Sequence, residues 1–600
     1  MTRFLFPILA AAFVPASIIA APVPADGSKG TTFPYPAKAP IVVCVNGYDK
    51  ARERLSAMLK AALPEDAASI TKSLDDQLSK LLEGRKLTGV RKDARAFLVV
   101  NELTGILEGH LPGSLLVPVT SYKEFRESFL TKDELKTYEK GRDGVDSVKT
   151  SATGDETTIY MVDLKEYIAA TPDKGVAEAY AAKYTAGTSE TMGQLAESFL
   201  KADVALFVNM DAINDQFGDQ IRTFRGLIDF GLQQAQQQGA LAGMTKKQLE
   251  AMKTMLKGMF QGIEDSRAIV VAAEFRPNGL LARVQARFAD KTPSAKLIQS
   301  EPSHALKDLT KLPKGFNIYT ETYMGETLGS LFRELSQEFV AAEDDDKGAA
   351  AIDKFQKDRL AAGPEESTAA ANTNGTGVVM ARYKDSAKAA KAILAAYKAI
   401  GSGGRIGGVV VKSAPKITQD AQKDHGFTFS EVQVQFDLEG TVASLQDPQK
   451  EVTLEMLKRT VGEKQTLWIG SDAKGVVTIT AKDWTTAKGM LDKTMDTQNE
   501  VGSDPAFKLT RDQLPMDATA VMIGETASTL TSLFDQIKGA MTAIPGAPDF
   551  GKLKPLKAAP TYIGGSFSMK DDTVSMTLFV PTGAVAAARK MLDGVFKNVE

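Results

Sequence analysis

Residues Thr561 to Lys597 combine two β-rich runs and one amphipathic run in a fixed order. That order limits the possible folds more than any other feature of the chain. Tyr562–Phe567 and Val574–Val580 are rich in β-branched and aromatic residues, and Lys570-Asp571-Asp572 lies between them. Such a pair predicts an antiparallel hairpin. In the second run Val574, Met576, Leu578 and Val580 alternate with Ser575, Thr577 and Phe579, a period of two that directs one apolar face toward a core. Pro581 ends the strand and Thr582 offers a helix cap. Val585, Ala588, Met591, Leu592, Val595 and Phe596 then recur at helical spacing.

The same order recurs upstream. Asp203–Met210 reads as a strand, and Ile221, Phe224, Ile228 and Leu232 as a helix face. A second helix, capped by Thr245, places Leu249, Met252, Leu256, Met259 and Ile263 on one side. Ala268–Phe275 and Leu280–Phe288 follow as a hairpin turned by Pro277-Asn278-Gly279, and Asn-Gly is a strong hairpin signal. Near the end of the chain, a strand at Asp517–Ile523 and a helix at Thr526–Thr542 precede the closing hairpin. Residues 202–300 and 516–600 therefore read as two copies of strand, helix, hairpin, helix. Partial versions occur at Leu115–Leu130, Gly377–Leu394 and Leu467–Leu491. Ile41–Val45 and Arg95–Asn101 are further strands, with a helical stretch from Arg52 to Leu82 interrupted at Pro64.

The pattern predicts an α+β chain of repeated strand–helix–hairpin–helix modules, with antiparallel sheets packed by helices on one face. The expected divisions are a signal peptide at 1–25, α+β modules at 26–200 and 201–312, a third at 313–445 and a C-terminal one at 446–600. Within the third, residues 343–376 are expected to be a disordered insert. They hold Glu343-Asp344-Asp345-Asp346, an Ala run and few large apolar residues, apart from a short helix near Ile352–Leu360.

Arg3, the apolar run Phe4–Ala21 and the small residues Ala20, Ala21 and Ala25 have the form of a secretory signal, cleaved after one of those alanines. No later run is long enough for a transmembrane segment after signal cleavage. A net charge of -3 and a pI near 6.0 leave no basic surplus for nucleic acid. The one cysteine, Cys44, sits in an apolar strand; it permits no internal disulfide and reads as a small core residue.

No residue qualifies as catalytic, cofactor-binding or metal-ligating from the sequence. His110, His304 and His425 lack metal-site spacing. There is no G-x-S-x-G and no Walker A motif, and Gly401–Gly408 reads as a turn, not a phosphate loop. The acids at 343–346 are consecutive, unlike the alternating ligands of an EF-hand, and read as a solvated loop. Asp211, Asp215, Asp219 and Asp229 follow a strand and offer a carboxylate pair only if geometry brings two together. Trp468 and Trp484 read as packing residues in preference to a ligand platform, and the Met-rich helix at 244–263 as core in preference to a groove.

The segments DVALFVNMDAINDQFGDQIRTFRGLIDFGL (203–232) and SRAIVVAAEFRPNGLLARVQARFAD (266–290) resemble large secreted bacterial proteins that carry strand–helix–hairpin units and have no assigned activity. The resemblance covers mainly residues 95–320. It implies export and an α+β repeat fold, and it transfers no site residue. The expected role is a non-catalytic scaffold or binding module in the envelope or periplasm, with a protein or envelope partner. The alternatives are a hydrolase whose carboxylates converge only in three dimensions and a carrier for an apolar ligand. A deep polar cleft marks the hydrolase, an apolar cavity the carrier, and an exposed apolar patch the binding module.

Overall fold

The computed structural model describes residues 31–82, 85–103, 113–150, 157–182, 184–237, 246–301, 303–323, 325, 346–406, 408–443, 449–531 and 559–596. The stretch expected to be a signal, His110, Thr245, the acids at 343–345 and most of the helix expected at 526–542 lie outside them. The chain forms two compact units, one from residues 1–221, 263–292 and 572–585, the other from 222–262, 293–571 and 586–600. Helices and antiparallel strands are mixed in both, as an α+β chain requires.

The first unit contains β1 (Thr32–Pro36), β2 (Ile41–Asn46), β3 (Arg95–Val100), β4 (Gly113–Pro118), β5 (Val145–Thr150), β6 (Thr157–Asp163), β7 (Tyr167–Thr171), β8 (Ala186–Thr188), β9 (Val204–Asn209), β10 (Ser266–Arg276) and β11 (Gly279–Phe288). The second contains β12 (His304–Ala305), β13 (Ile318–Tyr323), β14 (Pro364–Ala371), β15 (Gly377–Tyr383), β16 (Arg405–Ile406), β17 (Val409–Asp424), β18 (Phe427–Phe436), β19 (Lys464–Ser471), β20 (Val476–Thr480), β21 (Asp517–Ala518), β22 (Ala520–Glu525) and β23 (Tyr562–Lys570). The last strand, β24 (Thr573–Pro581), belongs to the first unit.

In the first unit the sheet order is β5–β6–β7–β4–β3–β2–β9–β10–β11–β24, antiparallel throughout. A separate ladder joins β1 to β8. In the second unit the order is β17–β18–β19–β20–β15–β14–β13–β22–β23, again antiparallel throughout. The short β16 pairs with β17, and β12 pairs with β21. Arg276 pairs with Gly279, so the expected hairpin forms, but its two-residue turn is Pro277-Asn278 and Gly279 is already the first residue of β11, one position on from the turn that an Asn-Gly pair favours.

One face of the first sheet carries the main core. Val42, Cys44, Phe97, Leu116, Phe207 and Val270 pack there against Tyr180 and Phe199. Tyr180 comes from the helix Lys174–Ala181 and Phe199 from the helix Ala196–Lys201. At the β4 end the opposite face has its own core, where Leu115, Val117 and Ile168 meet Phe125 and Phe129 of the helix Tyr122–Phe129. Both faces are thus covered at that end, where one covered face was expected. The cause is legible in β4, whose six residues are all buried and read as a continuous run rather than an alternation.

The expectation of a disordered insert fails for the described part of 343–376. Asp346–Ala361 is a helix, longer than the short one expected, and β14 pairs with β13 on one side and β15 on the other. An interior strand needs no large side chains if its neighbours approach closely. Ala370 is fully buried, and a Cβ on Gly377 of β15 would stand 2.6 Å from the Ala370 carbonyl oxygen.

Candidate functional site

The sequence candidates scatter. Cys44 is buried in β2, and burial pushes its thiol up to about 12, against the pull of Arg95, so it stays protonated and inert. Asp211, Asp215 and Asp219 are exposed on the helix Met210–Gln237, and the side chain of Asp229 lies outside the described set. The residue just before β9, Asp203, is the buried carboxylate of this region. Its Oδ1 accepts from Arg54 at 2.9 Å and its Oδ2 from the Phe275 N–H at 2.7 Å. Burial raises its pKa, opposed by Arg54 and that N–H. Trp468 and Trp484 have ring centroids 5.0 Å apart with planes tilted by 58°, and Trp468 is buried. In the glycine-rich turn the Gly403 N–H donates to the Val411 carbonyl. His304 lies against the ring of Tyr323.

Two clusters arise that no spacing rule finds. Asp308, Glu321 and Glu366 bring their carboxylates together in the second unit. Glu321 is fully buried and accepts from the N–H groups of Asp308 and Leu309, each at 2.8 Å. Burial raises its pKa against those bonds. Arg382 spans Asp308, at 2.9 Å, and Glu366. The cluster therefore holds its own cation where a metal would sit, and it reads as a clamp across the interior strands β13, β14 and β15. The second cluster is Asp424, His425 and Asp492 on the surface. His425 Nε2 stands 2.8 Å from Asp492, and Lys488 reaches Asp424 at 2.6 Å and Asp492 at 3.0 Å. The Lys488 bond depresses Asp424, while His425 and then Lys488 depress Asp492. This cluster too contains its cation.

The most distinctive surface is the second face of the first sheet, across β2, β9, β10, β11 and β24. Register sets three transverse rows there. The first is Ile41–Val208–Ile269–Ala286–Val574, the second Val43–Leu206–Val271–Val284–Met576, and the third Val45–Val204–Ala273–Ala282–Leu578. Every position is aliphatic or methionine. Only Val45 is buried; Val284 is 45% exposed, Met576 55% and Leu578 43%. The helix Tyr48–Ala62 lies against β2, β10 and β11 and buries Leu55 and Met58; of the fifteen row positions Val271, Val284, Met576 and Leu578 are exposed and the others, Val45 apart, are half-buried.

This corrects the reading of the closing strand. Its apolar alternation faces solvent, while Thr573, Thr577 and Phe579 are buried. The reversal has a cause. On that buried face Arg283 pairs with Glu274, and Gln285 donates to Ser575 Oγ at 2.9 Å, so polar side chains are satisfied among themselves. The Met-rich helix needs the same correction. Phe260 is buried, but Met255 and Met259 are more than half exposed, because the apolar arc is wider than one partner helix covers.

No family model matches the chain, nor does any curated protein or any solved structure.

Proposed function

We propose that this chain is an exported, non-catalytic binding protein of the bacterial envelope or periplasm whose open sheet face holds the hydrocarbon part of a lipid. The observation that carries this reading is the triple row of aliphatic side chains without one polar member. Each row crosses four strand spacings of about 4.8 Å, roughly 19 Å in all, which matches an extended acyl chain. The backbones of β2, β9, β10 and β11 are paired on both sides, so the face offers nothing to orient a polar partner. The carboxylate clusters argue against a hydrolase, since both are neutralised by resident cations.

We read the chain as two copies of one α+β module. The support is the order of strand pairing. β5–β6–β7–β4–β3–β2–β9–β10 corresponds strand for strand, in both space and sequence, to β18–β19–β20–β15–β14–β13–β22–β23. The small ladders β1–β8 and β12–β21 correspond as well. Export rests on Arg3 and the Phe4–Ala21 run. N-terminal sequencing of the mature protein should begin between Ala21 and Asp26, and recovery of intact Met1 from washed membranes would refute cleavage.

The lipid reading is tested with a fluorescent fatty acid displaced by unlabelled palmitate. Val284→Asp and Met576→Glu should each weaken binding by about tenfold or more. Both sites are exposed, so the unfolding midpoint should not move. Binding that survives both substitutions would sink the proposal. So would an absence of binding together with a dimer that the same substitutions dissociate.

A further inference from the structure

Resting on the lipid reading above, we infer that the lipid is anionic and that Lys50 and Arg95 receive its headgroup at one corner of the open sheet face. Val45 opens the third row, and its neighbour Asn46 pairs with Arg95 of β3. The Asn46 N–H donates to the Asp203 carbonyl at 3.0 Å, and Asp203 directly precedes Val204, the next member of the row. The helix Tyr48–Ala62 starts two residues after Asn46 and carries Lys50 and Arg54 one turn apart. Arg54 reaches the Asp203 carboxylate at 2.9 Å. Lys50, Arg54 and Arg95 therefore gather where the apolar row ends.

The charges at this corner do not balance. Asp203 is its buried carboxylate, and Arg54 and the Phe275 N–H already occupy both oxygens. Among the described residues neither Lys50 nor Arg95 has an ion-pair or hydrogen-bond partner for its side chain, and Arg95 Nε is buried without an acceptor. Asp49 and Glu53 on the helix and Asp93 before β3 pair with neither. Burial lowers the Lys50 pKa, and Arg54 and Arg95 lower it further against the pull of Asp203, as befits an ammonium with no anion of its own. An ammonium and a guanidinium at one corner suit a single carboxylate or phosphate, which the guanidinium takes as a fork and the ammonium as a point charge. The rows beside them offer hydrocarbon contacts alone. The matching ligand is one amphiphile, with its acyl chain along the rows and its anionic end at β2.

Displacement of diphenylhexatriene, an uncharged fluorophore, from the full chain tests the headgroup site. Palmitate is expected to displace it at a concentration about tenfold or more below that of hexadecanol, which has the same chain length and no charge. Added salt should narrow that advantage. Lys50→Met with Arg95→Met should erase it while hexadecanol and the fluorophore bind as to the wild-type chain. Lys50→Met alone should remove part of it, and Lys50→Arg should keep it. Neither Lys50 substitution breaks an ion pair, so the unfolding midpoint should not fall. Val284→Asp, among the rows, should weaken palmitate and hexadecanol alike. Equal displacement by the two ligands, or an advantage for palmitate that survives in the double variant, would overturn the headgroup site and leave the hydrocarbon seat standing. Failure of the fluorophore and both ligands to bind would overturn the lipid reading, and the headgroup site with it.

Discussion

Deleting Ala361–Asn374 is expected to abolish the cooperative unfolding of the second unit. The deletion removes β14, which pairs with β13 through Ile318↔Ala371 to Tyr323↔Glu366 and with β15 through Ala371↔Gly377 to Pro364↔Tyr383. Losing an interior strand exposes an edge on each neighbour. Each ladder bond contributes about 1 kcal/mol net, and each orphaned buried group costs about 1–3 kcal/mol. Summed over both ladders, this rivals the whole stability of a domain, about 5–15 kcal/mol. The buried Ala362, Thr368 and Ala370 would also be lost, together with the Glu366 arm of the carboxylate clamp. A point version is Ala369→Pro, which removes one ladder donor from a strand paired on both sides and should cost at least about 3 kcal/mol. Denaturant unfolding followed by circular dichroism checks both. A deletion variant that keeps the wild-type midpoint would show that 364–371 is not an interior strand. Limited proteolysis gives an independent check, since 364–371 should resist cleavage in the folded chain.

That strand also shows where the sequence stopped being informative. The hairpins were legible because turn chemistry is local: Pro277-Asn278-Gly279 marks the bend between β10 and β11 without reference to anything distant. PEESTAAA carries no such mark. Its alanines are poor strand formers in isolation and become suitable only where Gly377 and Ala370 approach closely, a condition set by tertiary structure. For β24 the period of two located both faces but not which one is buried. That choice depends on Arg283, Glu274 and Gln285, some three hundred positions upstream, which make a polar inner face tolerable. The clusters were invisible for the same reason. Asp492 lies 67 residues from His425, and Asp308, Glu321 and Glu366 come from separate stretches, so motif spacing has nothing to detect. The face expected from Ile221, Phe224, Ile228 and Leu232 shares only Phe224 with the exposed residues Phe224, Leu227 and Phe230, because a helical wheel does not show which part of an apolar arc the partner helix leaves uncovered.

Glu134→Ala should destabilise the first unit by about 3–5 kcal/mol, the usual cost of stranding one member of a buried ion pair. Arg85 Nη2 stands 2.6 Å from Glu134 Oε1, and the two side chains are only 5% and 7% exposed. Thr150 Oγ1 donates to the same oxygen at 2.6 Å, and the Thr131 N–H donates to Oε2 at 2.8 Å, closing a capping box on the helix Lys132–Lys136. Removing the carboxylate takes away the acceptor that Arg85, the Thr150 hydroxyl and the Thr131 N–H share, beside the Phe129 ring, which lies 5.7 Å from Arg85 Cζ. The sign of the pH dependence follows from the same contacts. Burial alone would raise the Glu134 pKa, but the Thr150 hydroxyl, the Thr131 N–H and Arg85 outweigh it, and the net shift is downward from 4.5. The unfolded chain therefore takes up this proton more readily than the folded one. The stabilisation is present above the ordinary glutamate value and is lost as pH falls through the lower folded value. The gap in unfolding midpoint between wild type and Glu134→Ala should be constant near neutrality and should narrow below about pH 4.5. The double variant Arg85→Met with Glu134→Leu should recover much of the loss, because an apolar pair of similar volume leaves no charge stranded. If the single variant unfolds at the wild-type midpoint, or the gap widens in acid, the pair is solvated and does not anchor this helix.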